Sequence, residues 1–260
     1  MRITFTKYQG TGNDFILVDN RDGTFRPEPG VVTRLCDRHF GIGSDGLILI
    51  EADEEADFSM NFFNPDGSKS FCGNGSRCAV DFFRRLSPGS PELQFRAIDG
   101  LHQAVHSDST VKIRMGDVRD VRLMSDGLFI DTGSPHVLRY VSDPEEVSVV
   151  SEGRLVRYSP EWMPSGVNVN FIGVAGTGHI LMRTYERGVE DETLSCGTGV
   201  TAAALSYHHL HGGGGDITVD TRGGRLTVVF AENPSGPGYT DIWLCGPATM
   251  IFSGEIETEL

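Results

Sequence analysis

The 260-residue sequence contains no uninterrupted apolar stretch of the length a membrane-spanning helix requires, roughly 20 residues. Basic residues are also scarce: 22 Lys and Arg against 36 Asp and Glu leave a formal charge of −14. A surface so acidic repels phosphate backbones and anionic lipid, so neither nucleic acid nor a membrane is an expected partner. Cysteine is sparse and odd in number, as Cys36, Cys72, Cys78, Cys196 and Cys245, and no two stand in C-x-x-C spacing. That argues against a disulfide framework and a zinc knuckle, and reduced thiols are expected. A cofactor motif is missing as well. The stretch Gly10-Thr11-Gly12-Asn13-Asp14 touches on a dinucleotide fingerprint but lacks the third glycine, and a strand follows where the fingerprint needs a helix. No basic and apolar leader stands at Met1-Arg2-Ile3-Thr4, so a cytoplasmic location is the expectation. These absences point to a small-molecule partner, with no cofactor and no metal.

What the chain does contain is one short unit written twice: Phe71-Cys72-Gly73-Asn74-Gly75 and Ser195-Cys196-Gly197-Thr198-Gly199. In each copy two glycines after the cysteine permit a tight turn, and a helical run follows, so each thiol is expected beside a helix N-terminus. The surroundings repeat too. In the first half a strand over 58–63 leads through the turn Asn64-Pro65-Asp66-Gly67 to Cys72. The helix beyond it sets Ala79, Phe82, Phe83 and Leu86 on one face and Arg77, Asp81, Arg84 and Arg85 on another, and a hairpin follows around Asp99-Gly100. In the second half a strand over 179–185 leads through an acidic loop to Cys196. The helix from Val200 has scarcely a polar face, so it reads as buried all round, and it ends at Gly212–Gly215 before a hairpin around Gly223-Gly224. An internal duplication is the economical reading, with an N-terminal lobe over 1–115, completed by the last strand at 249–260, and a C-terminal lobe over 116–248.

Elsewhere, strands over 3–8 and 15–18 flank a turn presenting Asn13 and Asp14, a short helix covers 31–39, and an apolar strand runs over 47–50. Asn168 and Asn170 alternate onto one face of a strand over 166–171. His208, His209 and His211 close the second long helix, where histidine is favoured at an exposed C-terminus without any ligand role.

A thiol at a helix N-terminus has its anion stabilised by the dipole and by backbone N–H groups, and the same groups bind carboxylates. Two such termini suit proton exchange at the α-carbon of an amino acid, one thiol removing the proton and the other returning one to the opposite face. A lone cysteine is more often a small buried hydrophobe, and Cys36, Cys78 and Cys245 keep that reading. For Cys72 and Cys196 the duplicated context reverses it. A non-catalytic amino-acid-binding protein would use the helix termini but not two thiols, and a thiol–disulfide oxidoreductase would normally carry C-x-x-C.

Taken together these motifs resemble the diaminopimelate epimerase family. The resemblance rests on Gly10-Thr11-Gly12-Asn13-Asp14-Phe15, Arg38-His39-Phe40-Gly41-Ile42-Gly43, Asn64-Pro65-Asp66-Gly67-Ser68, Cys72-Gly73-Asn74-Gly75-Ser76-Arg77-Cys78, Pro135-His136, Val167-Asn168, and Tyr185-Glu186-Arg187-Gly188 with Cys196-Gly197-Thr198-Gly199, in the family's order. It implies an α+β fold of two pseudo-symmetric lobes, each a mostly antiparallel, mixed, barrel-like sheet around a central helix, with the active site in the cleft between lobes. It implies Cys72 and Cys196 as the acid/base pair, with Gly73, Asn74, Gly197 and Thr198 binding the reacting carboxylate. Asn13, Asn64, Asn168 and Arg187 would hold the far end of diaminopimelate and Glu186 its reacting ammonium, with His136 and Ser134 as further candidates. It also implies a homodimer and a place in lysine and peptidoglycan precursor synthesis. Many family members carry Gln where this chain has Gly46 and Asn where it has Ser134, and the loop 189–193 is a residue longer than the commonest form. Proline racemase and hydroxyproline epimerase share the two-thiol chemistry, but the set of Asn64, Asn168 and Arg187 argues for a substrate with a second polar end.

Overall fold

The computed structural model of the chain describes residues 2–107 and 110–257. Residues 1, 108–109 and 258–260, which belong to the expected N-terminal lobe, lie outside the described residues. In chain order the elements are β1 (Arg2–Gly10), β2 (Asn13–Asp19), α1 (Pro29–Cys36), β3 (Gly46–Glu51), β4 (Phe58–Phe63), α2 (Gly73–Leu86), β5 (Glu92–Ala97), β6 (Gly100–Ser107) and β7 (Thr110–Arg114). There follow β8 (Arg122–Met124), β9 (Gly127–Asp131), β10 (Pro135–Tyr140), α3 (Val149–Arg157), β11 (Asn168–Gly176), β12 (His179–Glu186), β13 (Asp191–Thr193), α4 (Gly197–His211), β14 (Asp216–Thr221), β15 (Gly224–Glu232), β16 (Tyr239–Pro247) and β17 (Thr249–Glu257). The chain divides into two compact units, Met1–Ile113 with Gly246–Leu260, and Arg114–Cys245.

Strand pairing shows the duplication directly. In the first unit the neighbours run β17, β1, β2, β3, β4, β5, β6, β7, antiparallel throughout except for the parallel pairs β2–β3 and β4–β5. In the second they run β8, β9, β10, β11, β12, β14, β15, β16, and the parallel pairs β10–β11 and β12–β14 fall at the same places. A parallel pair requires a crossover. Helices α1 and α2 supply it in one unit, and α3 and α4 in the other.

Each unit buries both faces of its middle strands. Phe15 and Leu17 of β2 and Ile48 and Ile50 of β3 pack in one cluster with Ala79, Phe82 and Phe83 of α2. Their alternates Ile16, Val18, Leu47 and Leu49 pack in another with Val32 and Leu35 of α1. Unbroken apolar runs are what strands buried on two faces need. In the second unit α4 contributes Val200, Ala203 and Leu205 to one cluster, and α3 contributes Val149 and Val156 to the other.

On the charged face of α2, opposite Ala79, Phe82 and Phe83, Arg77 and Asp81 are buried at 0% and 5% exposed, unlike Arg85. Asp81 is buried because Tyr8, Arg85 and His106 all direct hydrogen bonds to it. Those bonds together outweigh burial, which pushes the carboxyl up, and leave it below its ordinary value. Several expectations are corrected. Helix α1 stops at Cys36 rather than near 39, because the Asp37 side chain accepts from the backbone N–H of His39 and Phe40 and turns the chain out of the helix. The first hairpin turns at Ile98-Asp99, with Gly100 already paired. The acidic loop holds the short strand β13, and His208 is buried against the Tyr239 hydroxyl at 3.1 Å.

Candidate active site

In the first unit the site is assembled on the β1–β2 hairpin and the start of α2. The hairpin turns on Thr11 and Gly12, at φ 51° and 85°, the positive pair of a tight two-residue turn. Threonine is a strained choice there, and its hydroxyl is held by the buried guanidinium of Arg77 at 3.0 Å. The same Arg77 nitrogen donates to Asn74 Oδ1 at 2.9 Å. Asn13, the first residue after the turn, donates its Nδ2 to Asp45 at 2.7 Å, so its Oδ1 faces the other way. That oxygen accepts from Asn74 Nδ2 at 3.4 Å and from the Cys72 thiol at 3.7 Å.

Cys72 occupies the N-cap of α2 in extended conformation, and its sulfur accepts from the Gly75 N–H at 3.4 Å. Behind Asn13 lies an ionised cluster. Arg38 bridges Asp14 and Asp45 at 2.7 and 2.8 Å, and Lys7 pairs with Asp14. Burial raises the Asp14 carboxyl, but the Arg38 and Lys7 contacts outweigh it and hold the group below the ordinary carboxylate range. Asn64 is not joined to this cluster. Its side chain closes its own turn on Ser68 and Ser70.

At Gly46 an added Cβ would lie 2.3 Å from the Phe62 ring. In this chain Phe62 fills the space that a side chain at 46 would need.

In the second unit Cys196 is the N-cap residue of α4, again extended. Its sulfur lies 3.4 Å from the Thr198 hydroxyl, which in turn lies 3.0 Å from Nε2 of His136. His136 is fully buried, and burial together with the nearby Arg187 charge pushes it down to about 3. The imidazole is therefore neutral at physiological pH.

A second cluster starts two residues away on the same strands. Asn168 donates to Ser134 Oγ at 2.9 Å and to the Pro135 carbonyl at 3.0 Å, and its Oδ1 accepts from the Arg187 N–H at 2.8 Å. The Arg187 guanidinium reaches Ser134 Oγ at 3.5 Å. Glu186 is held by the Thr193 hydroxyl at 2.7 Å. Gly73, Asn74, Gly197 and Thr198 form the first turns of α2 and α4, where helix N–H groups favour a carboxylate.

Sequence reasoning missed Asp45, Arg77 and Asn170, each of which fixes a predicted residue. For Asn170 the signal was present, since alternation placed it on the face of Asn168. Among the described residues no group of three His, Cys, Asp or Glu is placed to hold a metal ion.

The same strand order in each of two units, with crossover helices at matching places, defines an α+β fold that solved structures share. It superposes on a phenazine biosynthesis protein of the PhzF family from Bacillus anthracis with a TM-score of 0.80 at 14% identity, over 99% of this chain and 100% of the other. It likewise matches a hydroxyproline epimerase from Agrobacterium vitis with a TM-score of 0.66 at 16% identity, over 98% and 91% of the two chains. At those identities the likeness is one of fold. Sequence is more specific: the diaminopimelate epimerase family model matches residues 5–121 and 128–248. Diaminopimelate epimerases of Flavobacterium psychrophilum and Chlorobaculum tepidum are 42% and 41% identical, over 96% and 95% of this chain and 98% of each relative. The chain belongs to the diaminopimelate epimerase family.

Proposed function

We propose that the protein interconverts LL- and meso-diaminopimelate without pyridoxal phosphate, in lysine and peptidoglycan precursor synthesis. The observation that carries this reading is the cysteine at the N-cap of the long helix in each of two repeated units. One thiolate removes the α-proton, and the other thiol delivers a proton to the opposite face of the same carbon. The carbanion's charge is stabilised by the backbone N–H groups at Gly73-Asn74 and Gly197-Thr198, which bind the reacting carboxylate. Glu186 faces the reacting ammonium. Asn13, Asn64, Asn168 and Arg187 hold the distal amino-acid end, for which a cation and neutral amides are the suitable partners. The amide cluster around Arg187 favours this substrate over proline or hydroxyproline, which lack that end. The working form in this reading is a cytoplasmic homodimer.

The test is incubation of the reduced protein with LL-diaminopimelate in deuterated water, following α-deuterium and meso product. Absence of both refutes the activity. Cys72→Ala and Cys196→Ala are each expected to abolish epimerisation while circular dichroism stays native, and full turnover by either variant refutes the two-thiol mechanism. Sedimentation of a monomer at working concentration would refute the dimer.

A further inference from the structure

Buried and half-buried polar side chains of the second unit form a chain whose hydrogen-bond directions are fixed from its inner end. Asn170 is fully buried. Its Nδ2 lies 3.1 Å from the Val137 carbonyl, and its Oδ1 accepts from the Thr184 hydroxyl at 2.9 Å. A carbonyl can only accept, so the Val137 contact decides which end of the amide is NH2. The second Nδ2 hydrogen faces Nδ1 of His136 at 3.2 Å, so Nδ1 carries a lone pair and the ring proton of the neutral imidazole sits on Nε2. Nε2–H therefore donates to Thr198 Oγ1. The hydroxyl has one proton, and with Oγ1 accepting from histidine that proton points at Cys196 Sγ.

Glycine at 199 is what lets the chain close. An added Cβ there would lie 2.7 Å from Asn170 Oδ1 and 3.3 Å from His136 Cε1, the first closer than a Cβ is tolerated.

We infer that Asn170 is a positioning residue that sets the tautomer of His136 and so aims the Thr198 hydroxyl proton at Cys196, favouring its thiolate. No proton travels along the chain. When Cys196 takes the α-proton of the substrate, that proton stays on sulfur while His136 and Thr198 keep their own. The charged side chains at the neighbouring strand end are Arg187, whose field bears on His136, and Glu186, which is bonded to Thr193. The inference rests on the proposed use of Cys196 as an acid/base group.

The test uses the whole protein without substrate. Heteronuclear NMR of histidine-labelled protein reads the His136 ring, assigned by its loss in His136→Gln. A neutral ring protonated on Nε2 is expected, and either an Nδ1–H tautomer or an imidazolium at neutral pH overturns the inference. Asn170→Asp replaces the amide donor by an acceptor, which takes an Nδ1–H from histidine, so Nε2 becomes the acceptor and draws the Thr198 proton away from sulfur. The pH midpoint for alkylation of Cys196, followed by peptide mass, is then expected to rise by about one unit, roughly a tenfold slower reaction below the midpoint.

An added negative charge alone would also raise it, so the same substitution is made in Thr198→Val. There the relay is already cut, and Asn170→Asp should move the midpoint by less than half as much. A shift of full size in that background overturns the relay. If the Asp variant does not fold, the tautomer of the wild-type ring still decides. Neither readout involves epimerisation, so failure of the proposed activity and failure of this relay are separately visible.

Discussion

His136 makes the second unit acid-sensitive in a way that can be isolated. The residue is fully buried, and its folded value lies at about 3 against an ordinary 6.5. The unfolded chain therefore takes up a proton below the ordinary value, while the native state refuses it until far lower. The stabilisation is complete above about pH 6.5 and is lost as pH falls from there toward 3. At about pH 5, roughly one and a half units below the unfolded value, the linkage is worth about 2 kcal/mol.

Both tryptophans, Trp162 and Trp243, fall within Arg114–Cys245, and Trp162 stacks on Phe129 at 5.1 Å. Tryptophan fluorescence during urea unfolding thus reports this unit alone. Unfolding is measured at about pH 7.5 and about pH 5 for wild type and His136→Gln, and the wild type is expected to lose about 2 kcal/mol more than the variant. Other titrating groups cancel in that difference. Equal losses in the two proteins, within about 0.5 kcal/mol, would refute the buried neutral imidazole.

Asp45→Ala frees the Asn13 amide to rotate, and a fall in epimerase kcat of about tenfold is expected with the melting temperature little changed, by the usual worth of a hydrogen bond to a charged group. Wild-type kcat in the variant would show that the Asp45–Asn13 bond is incidental. Gly46→Gln places a side chain against the Phe62 ring and is expected to cost about 1–3 kcal/mol in urea unfolding, part of it recovered in combination with Phe62→Leu. Gly153→Ala puts a Cβ 2.4 Å from the Tyr185 Cβ. It is expected to lower tryptophan-monitored stability by about 1–3 kcal/mol, although Ala is the better helix former, and a gain in stability would contradict that contact.

The parts of the fold that could be read in advance are those whose cause is local. Two glycines after a cysteine announced the starts of α2 and α4, and the runs Phe15–Val18 and Leu47–Ile50 announced strands. What could not be read depends on residues distant in the chain. Asp81 and Arg77 pass for surface charges until Tyr8, 73 residues from Asp81, and Thr11, 66 residues from Arg77, are brought against them. Helix α3 gave no signal because Ser148 makes no side-chain cap and Gly153 sits in its middle, where Tyr185 leaves no room for a Cβ. Asn170 was visible as a face-mate of Asn168, but its partner His136 is 34 residues away through the parallel pairing of β10 with β11.

The duplication also shows where the two copies diverged. Backbone, crossover helices and N-cap cysteine were kept, yet the side chains of Asn13 and Thr198 that meet the two sulfurs have opposite sense. Asn13 offers Cys72 only an oxygen, because its NH2 is committed to Asp45 and so to the ionised cluster with Arg38 and Asp14. That acceptor favours a protonated thiol. Thr198 offers Cys196 a proton, which favours a thiolate. Exchange of a proton between two faces of one carbon needs one acid and one base at the start of each turnover, and identical shells would leave their assignment unbiased. Different shells bias it.

The consequence is measurable in substrate-free protein: the pH midpoint for alkylation is expected to be lower at Cys196 than at Cys72. Exposure argues the other way for overall rates, since Cys196 is 8% exposed and Cys72 is half-buried, so the midpoint, which access does not move, is the quantity to compare. A lower midpoint at Cys72 would mean that the helix N-terminus and Gly75 N–H outweigh Asn13, and the asymmetry argued from the shells would be wrong.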